Sequence, residues 1–172
     1  DPYARYQPDG PHGPSEVIDP ATFTWTDDAW GGLTMAGLVL YELHVGTMTS
    51  SGTFDAVRRQ LPELRRLGVT AIELMPVADT PGDRNWGYDG VNMFAPNRSY
   101  GRPDDLRRLV DAAHGYGLGV ILDVVYNHLG PDGNYLHAFS NDYFTARHQT
   151  PWGDGLNFDG PNSRYVRDLV ID

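Results

Sequence analysis

The ten residues Gly119–His128, Gly-Val-Ile-Leu-Asp-Val-Val-Tyr-Asn-His, constrain the fold of this chain more than any other stretch. An uninterrupted apolar run of this length suits a strand buried on both faces, as in a parallel sheet. Asp123, Asn127 and His128 then fall at or just past the carboxyl end of that strand. In α/β barrels the βα-loops meet at this end, and it carries the chemistry. One segment therefore predicts an architecture and a site together.

The rest of the chain repeats the alternation. Leu38–Val45 reads as a first buried strand. Thr53 is placed to cap a helix in which Phe54, Val57, Leu61, Leu64 and Leu67 recur at helical spacing. Arg58, Arg59, Arg65 and Arg66 occupy the other face, and Gly68 marks the stop. Pro62 removes a hydrogen bond inside that pattern, so a bend without loss of the helix is expected there. Val69–Met75 is a second strand, closed by Pro76. The loop from there to Tyr100 is too long for a bare connector and is expected to be functional.

Pro103 suits a first helical position, with Asp104 and Asp105 favourable to the helix dipole. Leu106, Leu109, Val110 and Ala113 form the apolar stripe of that helix, and Gly117 ends it. Gly119–Val125 is the third strand. A second long loop runs to about Asn162, and Arg164–Asp172 opens a further helix. Residues 1–36, rich in Pro, Gly and Asp, read as loop with a short strand near Thr22–Thr26. The order βαβαβ implies a parallel sheet with right-handed crossovers.

Composition narrows the function. The formal net charge of −10 argues against nucleic acid and against anionic membrane surfaces as partners. No cysteine is present, so neither a disulfide framework nor thiol chemistry is expected, which is compatible with the cytoplasm. No apolar run reaches the roughly 18 residues of a membrane span, and no signal-like segment opens the chain. All thirteen basic residues are arginine, a pattern that fits genomic codon bias.

Asp123-Val-Val-Tyr-Asn-His128 resembles the first conserved region of the α-amylase superfamily of glycoside hydrolases. Four further segments carry the likeness in the same order: Pro11-His-Gly-Pro-Ser-Glu-Val17, Tyr41-Glu-Leu-His-Val-Gly-Thr47, Trp86-Gly-Tyr-Asp-Gly-Val91, and Thr150–Gly153 running into Leu156–Pro161. Within the superfamily the chain looks most like the trehalose-releasing subgroup, with glycogen branching enzymes as runner-up. The resemblance implies a (β/α)8 TIM barrel preceded by an N-terminal β-sandwich. Residues 1–36 would be the linker and tail of that sandwich, and 37–172 the first three βα units of the barrel. It implies an α-glucan or maltooligosyltrehalose as substrate and no cofactor; in many relatives the asparagine matching Asn127 is structural or helps ligate calcium, and for this subgroup no metal is expected.

The candidate substrate-binding residues are His128, Tyr88, Trp86, Asp89 and Trp152. A neutral imidazole can donate and accept, which suits a sugar hydroxyl. In relatives, the histidine matching His128 meets the 6-hydroxyl at the cleavage point. Aromatic faces stack on pyranose rings, and the tyrosine matching Tyr88 forms the platform under the sugar. Trp86 and Trp152 could line a subsite or simply pack. Asp89 could bind a hydroxyl or cap its turn. Asp123, Asn127 and Asp159 are expected to support the site, Asp123 through hydrogen bonds to neighbours. Glu42 and Glu73, within strands, and His44 and His114 are read as structural.

Retaining glycosidases need two carboxyl groups about 5–5.5 Å apart. In this superfamily the nucleophile lies in an Asp-Gly-x-Arg-x-Asp segment on strand four, and no such segment occurs in this sequence. A whole barrel also needs about 250 residues, against 172 here. The expectation is a piece ending at Asp172 before strand four, carrying part of the substrate cleft and inactive by itself. A non-catalytic carbohydrate-binding relative is the reading from a different class.

Overall fold

The structure, a computed structural model, describes residues 1–171. Asp172, where the expected piece ends, lies outside the described residues. Three parallel strands form the central sheet: β1 (Leu40–Leu43), β2 (Ala71–Leu74) and β5 (Gly119–Leu122), in the order β1-β2-β5. The register pairs Leu40 with Ala71 and Ala71 with Gly119, so the three strands start level.

Helices join them. After β1 come a single turn, α1 (Val45–Met48), and two short helices, α2 (Phe54–Arg58) and α3 (Leu61–Leu67). The Thr53 hydroxyl accepts from the Ala56 amide at 3.2 Å, a cap worth about 1 kcal/mol. Gly68 closes α3 at φ 98°, a left-handed value open to glycine at little cost. The expected single bent helix is in fact two. Pro62 sits in the first turn of α3, where its missing N–H and fixed φ favour a helix start. The long helix α4 (Pro103–Gly115) begins at Pro103 as predicted, and Asp105 accepts from the Arg102 amide at 2.8 Å.

Phe54, Leu61, Ile72, Leu74, Leu109 and Leu118 are fully buried between these helices and one face of the sheet. Truncating any of these leucines to alanine would cost about 2–5 kcal/mol.

The third strand departs from its expected burial. Ile121 and Leu122 are 39% and 45% exposed. β5 has one strand neighbour, β2; Leu33 covers its start at Gly119, and the strand opens to solvent towards its carboxyl end. An apolar run predicts burial only where both faces are supplied with partners.

Both long loops hold antiparallel strand pairs that the sequence reading does not identify. The first contains β3 (Ala78–Asp79) and β4 (Asn92–Pro96); the second contains β6 (Phe144–Thr150) and β7 (Gly153–Leu156). The final helix α5 (Ser163–Ile171) packs Val166 with Leu129, Leu136 and Leu156 in a second, smaller core. The short strand expected near Thr22–Thr26 is instead a 3-10 turn over Pro20–Thr22 followed by extended chain. Among the described residues no helix is long and apolar enough to cross a membrane.

Candidate functional site

The loops leaving β2 and β5 meet at the carboxyl end of the sheet, and most of the predicted site residues meet with them. The Tyr88 hydroxyl donates to Asp123 Oδ2 at 2.9 Å. His128 is buried, 6% exposed, and donates from Nε2 to the Tyr88 carbonyl at 3.1 Å. Asn127 Nδ2 donates to His128 Nδ1 at 2.9 Å. That pair of bonds requires the neutral ring with its proton on Nε2. Trp152, at the β6–β7 turn, stacks on the His128 ring with centroids 4.8 Å apart and planes 18° apart.

A backbone–backbone bond also joins the same two loops. The Gly130 amide donates to the Gly90 carbonyl at 3.0 Å. A Cβ at Gly130 would collide with the Asp89 carbonyl, so only glycine permits this approach. Gly87, at φ 99°, lies equally close to the Pro76 carbonyl. These two glycines let the Trp86–Val91 turn fold back onto the strand ends.

The turn itself is built around Asn85, which the sequence reading overlooked. Asn85 Oδ1 accepts from the Gly87 amide at 2.6 Å, its Nδ2 donates to Asp89 Oδ2 at 2.8 Å, and its carbonyl accepts from His44 Nε2 at 2.7 Å. The signal was available: asparagine followed by glycine at the second position on is a local turn former. Asp89 spends one carboxylate oxygen inside this turn. His44 does more than fill space, since it holds the residue preceding Trp86, and its ring lies edge-on to Trp86 at 5.3 Å. Its other nitrogen, Nδ1, is buried with no partner among the described residues.

The exposed surfaces are aromatic. Trp86, Tyr88 and Trp152 are 64%, 41% and 51% exposed. Acidic groups lie around Tyr88: its hydrogen bond to Asp123, then partial burial, then the charges of Asp123, Glu42 and Glu73 hold its hydroxyl above the usual tyrosine range. Glu42 and Glu73 are direct cross-strand neighbours on β1 and β2. Asp159 stands apart from this group. It pairs with His148 at 3.0 Å and lies 3.7 Å from Arg147, and the bond to His148 holds its carboxyl below the usual range. Among the described residues no group of three or more His, Asp and Glu is arranged to hold a metal ion.

Comparison with known proteins places these features in context. A profile described as the catalytic domain of alpha amylase matches residues 18–165. The chain is 56% identical over 164 residues to the malto-oligosyltrehalose trehalohydrolase of Deinococcus radiodurans, covering 95% of this chain and 27% of that protein. It is 51% identical over 172 residues to the protein of the same name from Saccharolobus solfataricus, covering all of this chain and 30% of that one. A Salmonella typhimurium structure assigned as an α-amylase superposes with a TM-score of 0.93 at 48% identity, over 99% of this chain and 30% of that one. The chain thus spans under a third of the length of each of these three relatives.

Proposed function

This chain belongs to the α-amylase catalytic-domain family, and from that premise we propose that it is the first part of the barrel of a retaining glycosidase that releases trehalose from maltooligosyltrehalose. In this reading residues 1–36 lead in from a β-sandwich, residues 37–172 supply the first three βα units, and the polypeptide acts in the cytoplasm. The reaction breaks the α-1,4-glucosidic bond next to the terminal trehalose. Water adds across it to give trehalose and a maltooligosaccharide. In this reading the nucleophile and acid/base come from other strands of the barrel, and the sequence contains no Asp-Gly-x-Arg-x-Asp segment of the kind that carries the nucleophile in relatives.

The observation that carries the proposal is the convergence of Tyr88, Asp123 and His128 at adjacent strand ends beneath exposed aromatic faces. Tyr88 offers its ring to the sugar at the cleavage point. Asp123 fixes the tilt of that ring through the hydroxyl. His128 orients Tyr88 from behind; to meet the sugar 6-hydroxyl, as the resemblance implies, it exchanges one of its two ring bonds, to Asn127 or to the Tyr88 carbonyl, as Trp152 leaves its ring. Trp86 and Trp152 flank the cleft, Asp89 and Asn127 brace its loops, and Asp159 holds the strand pair that carries Trp152. The substrate is neutral, and no residue of this set needs a metal or a cofactor for these roles.

The test is to express the polypeptide as its gene encodes it and to assay trehalose release from maltooligosyltrehalose beside branch formation on amylose. Trehalose release supports the reading. Branching without trehalose release replaces it with the branching enzyme, and glucan binding without either reaction replaces it with a non-catalytic binder.

A further inference from the structure

We propose that residues Tyr3–Glu16 form a strap that fixes the loop behind His128, with His12 as a positioning residue for the site. The inference rests on the functional reading above for its catalytic consequence, though not for its structural one.

One side of the strap is tied to the frame. The Tyr3 ring lies parallel to Phe94 of β4 at 5.5 Å, and the Arg5 guanidinium sits 4.8 Å from the centre of the same Phe94 ring. Gln7 is buried and accepts from the Asn92 side chain. Tyr6 is buried under the Arg102 guanidinium at 4.8 Å, and Arg102 pairs with Glu16. Gly10 turns at φ 85° against the Arg98 guanidinium, which is anchored on Asp79 at 2.9 Å. These contacts fall on β4, on the segment after it and on the start of α4.

The other side reaches the loop after His128. Pro11 is buried against Gly133, where a Cβ would stand 2.6 Å from the Pro11 Cβ. His12 spends both ring nitrogens on the same loop, Nδ1 on the Tyr135 hydroxyl at 2.6 Å and Nε2 on Asp132 Oδ1 at 3.1 Å. In the neutral ring, Nε2 donates to Asp132 and Nδ1 accepts from Tyr135. An exposed pair of this kind is worth little as a stability term. Its value is geometric, because it fixes two points of a loop on a single planar group.

That loop begins at Gly130, two residues after His128, and Gly130 is bonded to Gly90 beside Tyr88. The strap therefore sets the same loops that His128 and Tyr88 occupy, while touching neither. It also gives a role to Pro11–Val17, a segment that the chemistry of the site leaves unused.

The experiment uses the polypeptide as its gene encodes it. His12→Ala, His12→Gln and Tyr135→Phe are compared by hydrogen–deuterium exchange over residues 88–91 and 130–135, by thermal unfolding, and by steady-state hydrolysis of maltooligosyltrehalose. His12→Ala is expected to speed exchange over 130–135 and to lower kcat by roughly ten- to hundred-fold, as a small misplacement of a positioned site does. KM and the unfolding temperature should move much less, and His12→Gln, which keeps a donor and an acceptor, should recover most of the loss. Unchanged exchange in both His12→Ala and Tyr135→Phe would overturn the strap. So would a loss of activity that simply follows a fall in unfolding temperature. If the parent hydrolyses no maltooligosyltrehalose at all, the functional reading fails, and the exchange measurement still decides the strap.

Discussion

The Tyr88 hydroxyl and the Asp123 carboxylate, thirty-five residues apart in the chain, share a 2.9 Å hydrogen bond that ties the loop after β2 to the end of β5. The bond gives the Tyr88 hydroxyl a structural task beside the ring's expected role as a sugar platform. Tyr88→Phe should therefore cost about 0.5–1.5 kcal/mol of stability, and Tyr88→Ala should lose the ring as well and abolish most glucan turnover. The raised Tyr88 value sets the pH window. The bond's contribution is full below the unfolded-state value near 10 and is lost as pH rises through the higher folded value. An alkaline absorbance titration of wild type against Tyr88→Phe checks this. A Tyr88 that ionises with the unperturbed tyrosines would remove the bond from the account.

His128 carries both stability and turnover. Its replacement by alanine removes a buried ring together with the hydrogen-bond partner of the Tyr88 carbonyl and of the Asn127 side-chain amide. His128→Ala is expected to cost about 1–3 kcal/mol in chemical denaturation. In the gene's full product it should also lower kcat/KM by the equivalent of roughly 2–4 kcal/mol, by analogy with lost transition-state donors. Near-normal kcat/KM in a folded variant would detach this loop from the cleavage point.

Two glycine-to-alanine changes should differ in sign. Gly130→Ala puts a methyl against the Asp89 carbonyl and should destabilise by about 1–3 kcal/mol, parting the two loops. Gly115→Ala, in the last turn of α4 with nothing within contact distance of the new atom, should stabilise by about 0.5–1 kcal/mol. Urea unfolding of both variants reads the difference directly, and equal effects would mean that the loop approach at Gly130 is slack.

Asp79 gives a second pH prediction. It is fully buried, Oδ1 is held by Arg98, and Oδ2 has no partner among the described residues. Burial lifts its carboxyl above the usual aspartate range, against the pull of Arg98. A group raised in the fold contributes most below its unfolded value near 3.9 and loses that contribution as pH rises through its folded value. Asp79→Asn cannot ionise, so its stability relative to wild type should improve as pH rises through that window. Denaturation curves at several pH values test it, and a constant difference between the two proteins would show that Asp79 stays ionised throughout.

The 172-residue chain by itself should self-associate. β5 has a free edge, and Ile121, Leu122 and Val124 lie open, a combination that invites strand addition. Light scattering is expected to show association that Leu122→Glu reduces. A monomeric chain with a cooperative transition of several kcal/mol would show that this unit stands alone.

Local signals survived the passage from sequence to structure. Thr53, Gly68 and Pro103 act where they were expected, because a cap, a left-handed stop and a first-turn proline depend only on near neighbours. Tyr88, Asp123 and His128 were legible as a group because strand ends converge in any parallel sheet. What could not be read was pairing at a distance. Nothing in the sequence couples His12 to Tyr135 or His44 to Asn85. Nor does it say that the carboxyl end of β5, at Ile121 and Leu122, would lie open, since burial belongs to the neighbours and not to the strand. Pro62 was misjudged for a related reason: a proline is equally at home ending one helix and starting the next, and only the break before it decides.

The order β1-β2-β5 has a consequence for how this unit comes into being. Each strand lies beside the one made just before it, so the sheet can be assembled in the direction of ribosomal synthesis, every newcomer docking on a template already in place. The first-made edge, on β1, stays open throughout; the growing edge is always the last-made one, and in this unit it bears Leu122 and, just beyond it, Asp123.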